Sequence, residues 1–453
     1  MKRSRIIVAR VACLLALAGA SASSLLADEQ TDRLDALERR IAALEEALRR
    51  ALPETGEDAK ELKRRLEMLS KELEKARIGD AASPTPASVH GLGPAASKVY
   101  GVEAGVSIGG YGEGLYQDFD ATRDNGARTG KASEADFLRG VLYFGWKFSD
   151  RIVFNSEIEF EHASTGEGGE ASVEFATIDF LLNAPVNVRA GLLLIPVGFI
   201  NEMHEPPTFL GARRPDVERN ILPATWRENG AGLFGEAGPF SYRAYLVNGL
   251  DASGFTAGSG LRSGRQDGSE AKARDVALAT RLDYRGIPGL TTGVSWYTGE
   301  SGQGADDAAG TVIGARVSLY DLHAEYRLRG LQARGLWAAV TLDQAAEVSA
   351  KWGQVMGARM NGWYLEAGYD LLAFQGEKTR QALTPFVRYE RYDTQDRVAS
   401  GLVTTGVNDV KVVTVGAAWK PIFNLSVKAE WQDFDRADGS GADQINVAIG
   451  YLF

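Results

Sequence analysis

The stretch Arg151-Ile152-Val153-Phe154-Asn155-Ser156-Glu157-Ile158-Glu159-Phe160-Glu161-His162 alternates with a period of two. Ile152, Phe154, Ile158 and Phe160 fall on one face, and Arg151, Asn155, Glu157, Glu159 and Glu161 on the other. Successive side chains point to opposite faces only in an extended chain, so this is a β-strand with one apolar and one ionic face. Just before it, Leu142-Tyr143-Phe144-Gly145-Trp146-Lys147-Phe148 sets Leu, Phe, Trp and Phe against Tyr, Gly and Lys. Leu425, Val427, Ala429 and Trp431 oppose Ser426, Lys428, Glu430 and Gln432 in the same way.

A soluble β-sandwich also alternates, with its apolar face turned inward. Three features point to the inverted arrangement of a membrane barrel. Aromatics gather at strand ends, as with Trp146, Phe148, Trp419, Tyr451 and Phe453, where interfacial girdles would sit. Connections alternate between short ones (Ser149-Asp150, Asn183-Ala184-Pro185, Ala237-Gly238-Pro239, Gly286 to Gly289, Pro421 to Asn424) and long polar ones. The long ones run from Gln117 to Ser133, Ala163 to Glu170, Val197 to Glu228, Asp251 to Lys272, Glu300 to Gly310, Asp343 to Met360, Thr394 to Asn408 and Arg436 to Gly441. The chain also ends in a strand, Gln444 to Phe453, with Ile445, Val447, Ile449, Tyr451 and Phe453 on one face, an ending that resembles the signal read by outer-membrane barrel assembly machinery.

The expectation is an all-β transmembrane barrel of about sixteen antiparallel strands in outer-membrane lipid, with both termini periplasmic, preceded by an α-helical coiled coil. Thr311 to Leu328 reads in opposite phase on either side of Leu319 and Tyr320, which predicts a β-bulge there. After the first residues no apolar run reaches the roughly 18 residues a spanning helix needs, and a bilayer can otherwise be crossed only by a closed barrel.

Upstream of the barrel, Lys2, Arg3 and Arg5 precede an apolar run from Val11 to Ala20, which reads as a signal peptide (1–27) cleaved after Ala22 or Ala27. The only cysteine, Cys13, lies within it, so the mature chain carries no disulfide, thiolate metal site or c-type haem attachment. Residues 28–78 follow a coiled-coil seam, with Leu34, Leu37, Ile41, Leu44 and Leu48 broken at Pro53-Glu54-Thr55-Gly56 and resumed by Leu62, Leu66, Leu69 and Leu73. Its apolar stripe needs a partner, either a second copy or its own two halves folded as a hairpin. Residues 79–99, rich in Ala, Ser, Gly and Pro, read as a flexible linker, leaving 100–453 for the barrel.

The unit Gly191 to Gly232, the stretch Ser318-Leu319-Tyr320-Asp321-Leu322-His323-Ala324-Glu325-Tyr326-Arg327 and Gly362-Trp363-Tyr364-Leu365-Glu366-Ala367-Gly368-Tyr369-Asp370 make residues 100–453 resemble the phosphate-selective porin O and P family. The resemblance implies a homotrimer of sixteen-stranded porins with the third external loop folded into each lumen. By strand count that loop is Val197 to Glu228, the longest, and a loop of this length is usually functional. It carries Arg213, Arg214, Arg219 and Arg227 among Glu202, Glu205, Asp216, Glu218 and Glu228.

Arg139, Arg189, Arg243, Arg281, Arg316, Arg327, Arg334 and Arg388, with Lys147 and Lys428 as the lysines, fall on the predicted inward faces. Guanidinium offers phosphate planar paired donors and a charge that does not titrate, so these positions could line an anion path. Equally, Glu157, Glu159, Asp283, Glu325, Glu366, Glu390 and Glu430 face inward and could neutralise them as rows of structural ion pairs. The net charge of −10 argues against a nucleic-acid partner and leaves pore selectivity open. The histidines His90, His162, His204 and His323 show no metal-ligand spacing, and Ser156 and His162 are too far apart along one strand for nucleophilic catalysis. No catalytic residue, metal or cofactor is expected. A separate reading makes the coil an envelope tether to peptidoglycan or a periplasmic protein.

Overall fold

The computed structural model describes residues 88–102, 104–164 and 168–453. The predicted signal peptide, the coiled coil and residues 79–87 of the predicted linker lie outside the described residues. The first half of the barrel comprises β1 (Gly105–Phe119), β2 (Glu134–Ser149), β3 (Ile152–Glu161), β4 (Ala171–Leu181), β5 (Asn187–Leu194), β6 (Arg227–Ala237), β7 (Phe240–Asn248) and β8 (Val276–Ile287). The second comprises β9 (Leu290–Gly299), β10 (Val317–Leu328), β11 (Leu331–Leu342), β12 (Gly357–Tyr369), β13 (Ala382–Val398), β14 (Asp409–Ile422), β15 (Leu425–Arg436) and β16 (Gln444–Leu452). Each strand neighbours the next in sequence, and β1 closes on β16 to complete a barrel without free edges.

Closure is antiparallel and runs from Tyr111 opposite Leu452 to Phe119 opposite Gln444. The terminal residue extends it: the Gly110 and Phe453 amides each donate to the other's carbonyl, at 3.0 and 2.9 Å. Gly110 is required here, because a Cβ would stand 2.7 Å from the Phe453 ring.

The alternation resolves as the inverted pattern. Large apolar side chains point outward and are exposed around the barrel, among them Phe148, Leu246, Leu322, Trp337 and Leu365. Glutamates, aspartates and arginines point inward and are buried; Glu157, Asp283, Arg388 and Glu390 are all 0% exposed. Water-soluble monomers rarely expose continuous apolar patches beyond a few hundred Å², whereas a belt of this kind suits hydrocarbon. Among the described residues no helix is long and apolar enough to span a bilayer.

Three expectations are corrected. β10 pairs with β9 and β11 in unbroken register, so no bulge occurs at Leu319–Tyr320. Of the out-of-phase residues, 311–316 belong to the preceding loop, which turns at Ala315 with φ 48°, while Val317 and Leu319 lie in β10 and turn their apolar side chains inward into the core. The connection 370–381 lies on the short-turn side yet is longer than the loop 162–170 opposite, so long and short connections do not alternate strictly. Finally, residues 88–99 of the expected linker are packed, together with 100–102, rather than free. They carry the one-turn helix α1 (Lys98–Gly101), belong to the barrel unit and bury Leu92, Ala95, Ala96 and Val99.

Leu322 lies midway along β10 on the outward face, and Val403 lies in the exposed loop 399–408. Leu322→Arg should lower the folding free energy in lipid vesicles by about 2–4 kcal/mol, measured by urea titration. Val403→Arg should change it by less than about 0.5 kcal/mol.

Candidate functional site

The third long connection, residues 195–226, runs inside the barrel and is almost wholly buried. Its hydrophobic residues Ile195, Val197, Phe199, Val217, Ile221, Leu222 and Trp226 join inward-facing Tyr245, Tyr297, Val340 and Tyr364 in one core. A short helix, α2 (Asp216–Asn220), is its only helical turn besides a 3-10 turn at Pro206–Thr208. Such a loop has no ladder for its amides and carbonyls, and buried backbone groups must be paired.

Strand side chains do that pairing. Gly198 N donates to Asp321 at 3.0 Å, Ala212 N and Arg213 N to Glu430 at 2.8 and 3.1 Å, and Val217 N to Glu390 at 3.1 Å. On the acceptor side, Lys428 Nζ donates to the Pro206 and Gly211 carbonyls at 2.7 and 2.8 Å and sits 3.7 Å over the Phe209 ring. Lys420 Nζ donates to Pro207 O at 2.6 Å, and Arg327 to Thr208 O at 3.1 Å. Within the loop, Glu218 accepts from Phe199 N and Ile200 N at 2.8 and 2.7 Å and from the Tyr364 hydroxyl at 2.6 Å. Burial raises the Glu218 carboxyl while these donors pull it back. Hydrogen bonds to a charged group contribute roughly 1.5–3 kcal/mol each, so the loop is held by many moderate terms.

The predicted pore-lining arginines meet carboxylates. Arg139 pairs with Glu113 and Glu159, Arg189 with Asp179, Arg243 with Glu202 and Asp283, and Arg281 with Asp283. Arg327 and Arg334 share Glu325, and Arg388 bridges Glu366 and Glu390. Lys147 pairs with exposed Asp150 and donates to Val102 O. Arg316 lies outside the strands, in the 300–316 loop, paired with Glu300. Arg227 opens β6 and reaches Glu174 and Asp267. Asp216 is buried at the start of α2.

A different set stays free of ion pairs among the described residues: Arg213, Arg214 and Arg219 of the lumen loop, and Arg262 and Arg265 of the next long loop. Arg214, Arg262 and Arg265 reach only backbone carbonyls. Burial and the adjacent charges of Arg265, Arg219 and Arg214 lower Arg262 to about 9, still protonated at neutral pH. Burial and Arg213 lower Arg219 in the same sense.

At the short-turn end the segment 88–102 enters the lumen. Ala95 N and Ala96 N donate to Glu205 at 2.9 and 3.2 Å, Asn155 donates to Ala96 O at 2.8 Å, and the Tyr100 hydroxyl donates to Asp179 at 2.7 Å. Small residues allow the approach: a Cβ on Gly145 would stand 2.5 Å from Val99. Sequence reasoning missed this segment and missed Lys420. Lys420 was readable from the inward series Val410, Val412, Thr414, Gly416, Ala418 on its strand, whereas nothing local in 88–102 marks it as buried.

Lys428 is the principal clamp on residues 206–211. Lys428→Met should free that stretch and expose the Arg213–Arg214 peptide, so folded barrels become cleavable there by trypsin while the parent resists, read by mass spectrometry of the fragments.

No family model matches the chain. A protein of Aquifex aeolicus (strain VF5), described as uncharacterized, is 38% identical over 377 residues, covering 80% of this chain and 83% of the relative. Among solved structures, the outer membrane channel DcaP of Acinetobacter baumannii aligns with a TM-score of 0.50 at 13% identity, over 77% of this chain and 97% of that one. Salmonella typhi OmpF, solved in complex with daunomycin, aligns with a TM-score of 0.50 at 13% identity, over 78% and 98%. These two likenesses are of fold, whereas the sequence match over most of both chains sets the family: this protein belongs to one family with the Aquifex aeolicus protein.

Proposed function

We propose that the chain is a passive diffusion porin of the bacterial outer membrane with a preference for small anions. The observation that carries the anion preference is the group Arg213, Arg214, Arg219, Arg262 and Arg265, which have no ion-pair partner among the described residues while the wall arginines are matched. Guanidiniums that repel one another in a confined, low-dielectric space are relieved by a passing anion, and a constriction focuses their field. Phosphate is the narrower reading offered by the family resemblance and by the paired donors of guanidinium. Both termini would face the periplasm, and the resemblance implies a homotrimer.

In a planar bilayer the purified protein should give stepwise conductance, with a reversal potential across a KCl gradient of anion-preferring sign. A folded barrel without conductance would remove the porin reading, and a cation-preferring sign the anion refinement. Combining Arg213→Ser, Arg219→Ser and Arg262→Ser should move the reversal potential most of the way to zero. Phosphate-specific passage requires that added phosphate block the chloride current.

The chain between β15 and β16 holds Asp443, whose carboxyl is raised to about 6 by burial and by Asp433, Asp120 and Asp124. Acidification from neutral pH through about 6 therefore removes negative charge at that mouth, and anion preference should rise. Asp443→Asn should flatten that part of the pH profile.

A second role is favoured by one observation, the anchoring of Ala95 and Ala96 on Glu205 within the lumen. A coil attached to such a segment would be a tether rooted in the barrel, reaching peptidoglycan or a periplasmic protein. Co-sedimentation with purified peptidoglycan should then be lost on deleting residues 28–78, with conductance retained.

A further inference from the structure

Three side chains distant in sequence meet beside the lumen loop: Glu157 on β3, Glu174 on β4 and His204 on the loop, all buried. His204 Nε2 stands 2.9 Å from Glu157 Oε1 and 3.1 Å from Glu174 Oε2. One N–H can point at only one of two carboxylates. Glu174 Oε2 and Glu157 Oε2 are indeed left without a hydrogen-bond partner, although their side chains are 1% and 0% exposed. Native proteins rarely leave buried carboxylate oxygens unpaired. The Tyr111 hydroxyl is also unpartnered and 1% exposed, on a ring 6.0 Å from and edge-on to the imidazole.

We propose that Glu157, Glu174 and His204 form a binding site for a divalent first-row transition cation of the zinc class. A cation coordinates all three groups at once, which a single proton cannot. Zinc takes nitrogen and oxygen ligands at about 2.0–2.2 Å, which places tetrahedral donors roughly 3.3 Å apart. The three donor atoms here lie within 4.8 Å of one another, so closing the set needs only small side-chain shifts.

The surroundings hold the imidazole in the required tautomer. His204 Nδ1 lies 3.2 Å from the Asn201 carbonyl, so a proton on Nδ1 donates there and the Nε2 lone pair turns to the carboxylates. Metal-bound histidines characteristically have such a backbone acceptor behind them. Asn201 is itself fixed: its amide donates to Ile195 O and Trp226 O at 2.6 and 2.9 Å, and its oxygen accepts from Trp226 N at 2.6 Å. A mixed imidazole and carboxylate set favours zinc, copper or nickel over magnesium or calcium. Three protein ligands leave a fourth position for water or the Tyr111 hydroxyl. The site would staple the lumen loop to β3 and β4.

The test uses the full-length protein, folded in detergent, stripped with a chelator and titrated with Co²⁺ as the spectroscopic probe. The expected result is one Co²⁺ per chain with visible ligand-field absorption, displaced by Zn²⁺ and lost in Glu174→Gln. His204→Cys should keep binding and add a thiolate-to-cobalt charge-transfer band, a signature that a purely structural role cannot produce. Heat-modifiable gel mobility certifies that each variant holds a barrel. Absence of stoichiometric binding by the parent, binding unchanged in Glu174→Gln, or no thiolate band in a folded His204→Cys protein would each overturn the site and leave an ion pair only.

Discussion

A long loop placed inside a barrel must find a partner for every amide and carbonyl it buries, and the structure follows from that requirement. Surface loops leave this to water. Here Asp321, Glu390 and Glu430 receive the amides of residues 198–217, while Lys420, Lys428 and Arg327 supply the carbonyls of 206–211. The ionic faces of the strands are thus a scaffold for the loop as much as a lining. Each buried charge is costly on its own, so carboxylates and arginines come in matched sets such as Arg388 with Glu366 and Glu390.

This division of labour decides which charges remain available. Wall arginines are committed to carboxylates, whereas Arg213, Arg214 and Arg219 ride on the loop without ion pairs among the described residues, and Arg214 and Arg219 lie close to Arg262 of its neighbour. Net charge therefore says little about selectivity in such a protein. What matters is which cations the scaffold leaves unmatched, and those come from loops whose positions the scaffold sets. The outward face imposes the complementary constraint: apolar residues at every second position fix the register of each strand, since a one-residue slip would turn the ionic face outward.

Alternation is local, so strand identity, the sixteen-strand count and the inward Arg and Glu of the strands were legible from the residues themselves, whereas Arg316, expected on a strand, lies exposed in the 300–316 loop. The length of residues 197–228 marked the lumen loop for the same reason. Partnerships across the lumen were not legible, because they depend on closure. Nothing near Glu157 or Glu174 announces His204, and the three meet only when the loop folds back over β3 and β4. The segment 88–102 misled for a physical reason: Ala, Gly and Ser are the residues of flexible linkers, and also those that fit between a loop and a barrel wall. The bulge expected at Leu319–Tyr320 arose because Val317 and Leu319 are apolar on the inward face of β10, where they join the core around the lumen loop, before the outward apolar series Tyr320 and Leu322 begins.

Strand side chains pack the loop 195–226 in the lumen. The decisive measurement is amide hydrogen exchange of the folded protein in lipid. Gly198, Ala212, Arg213 and Val217, whose amides donate to Asp321, Glu430 and Glu390, should exchange as slowly as amides in the strands that hold them. Exchange as fast as in the exposed loop 399–408 would contradict that packing.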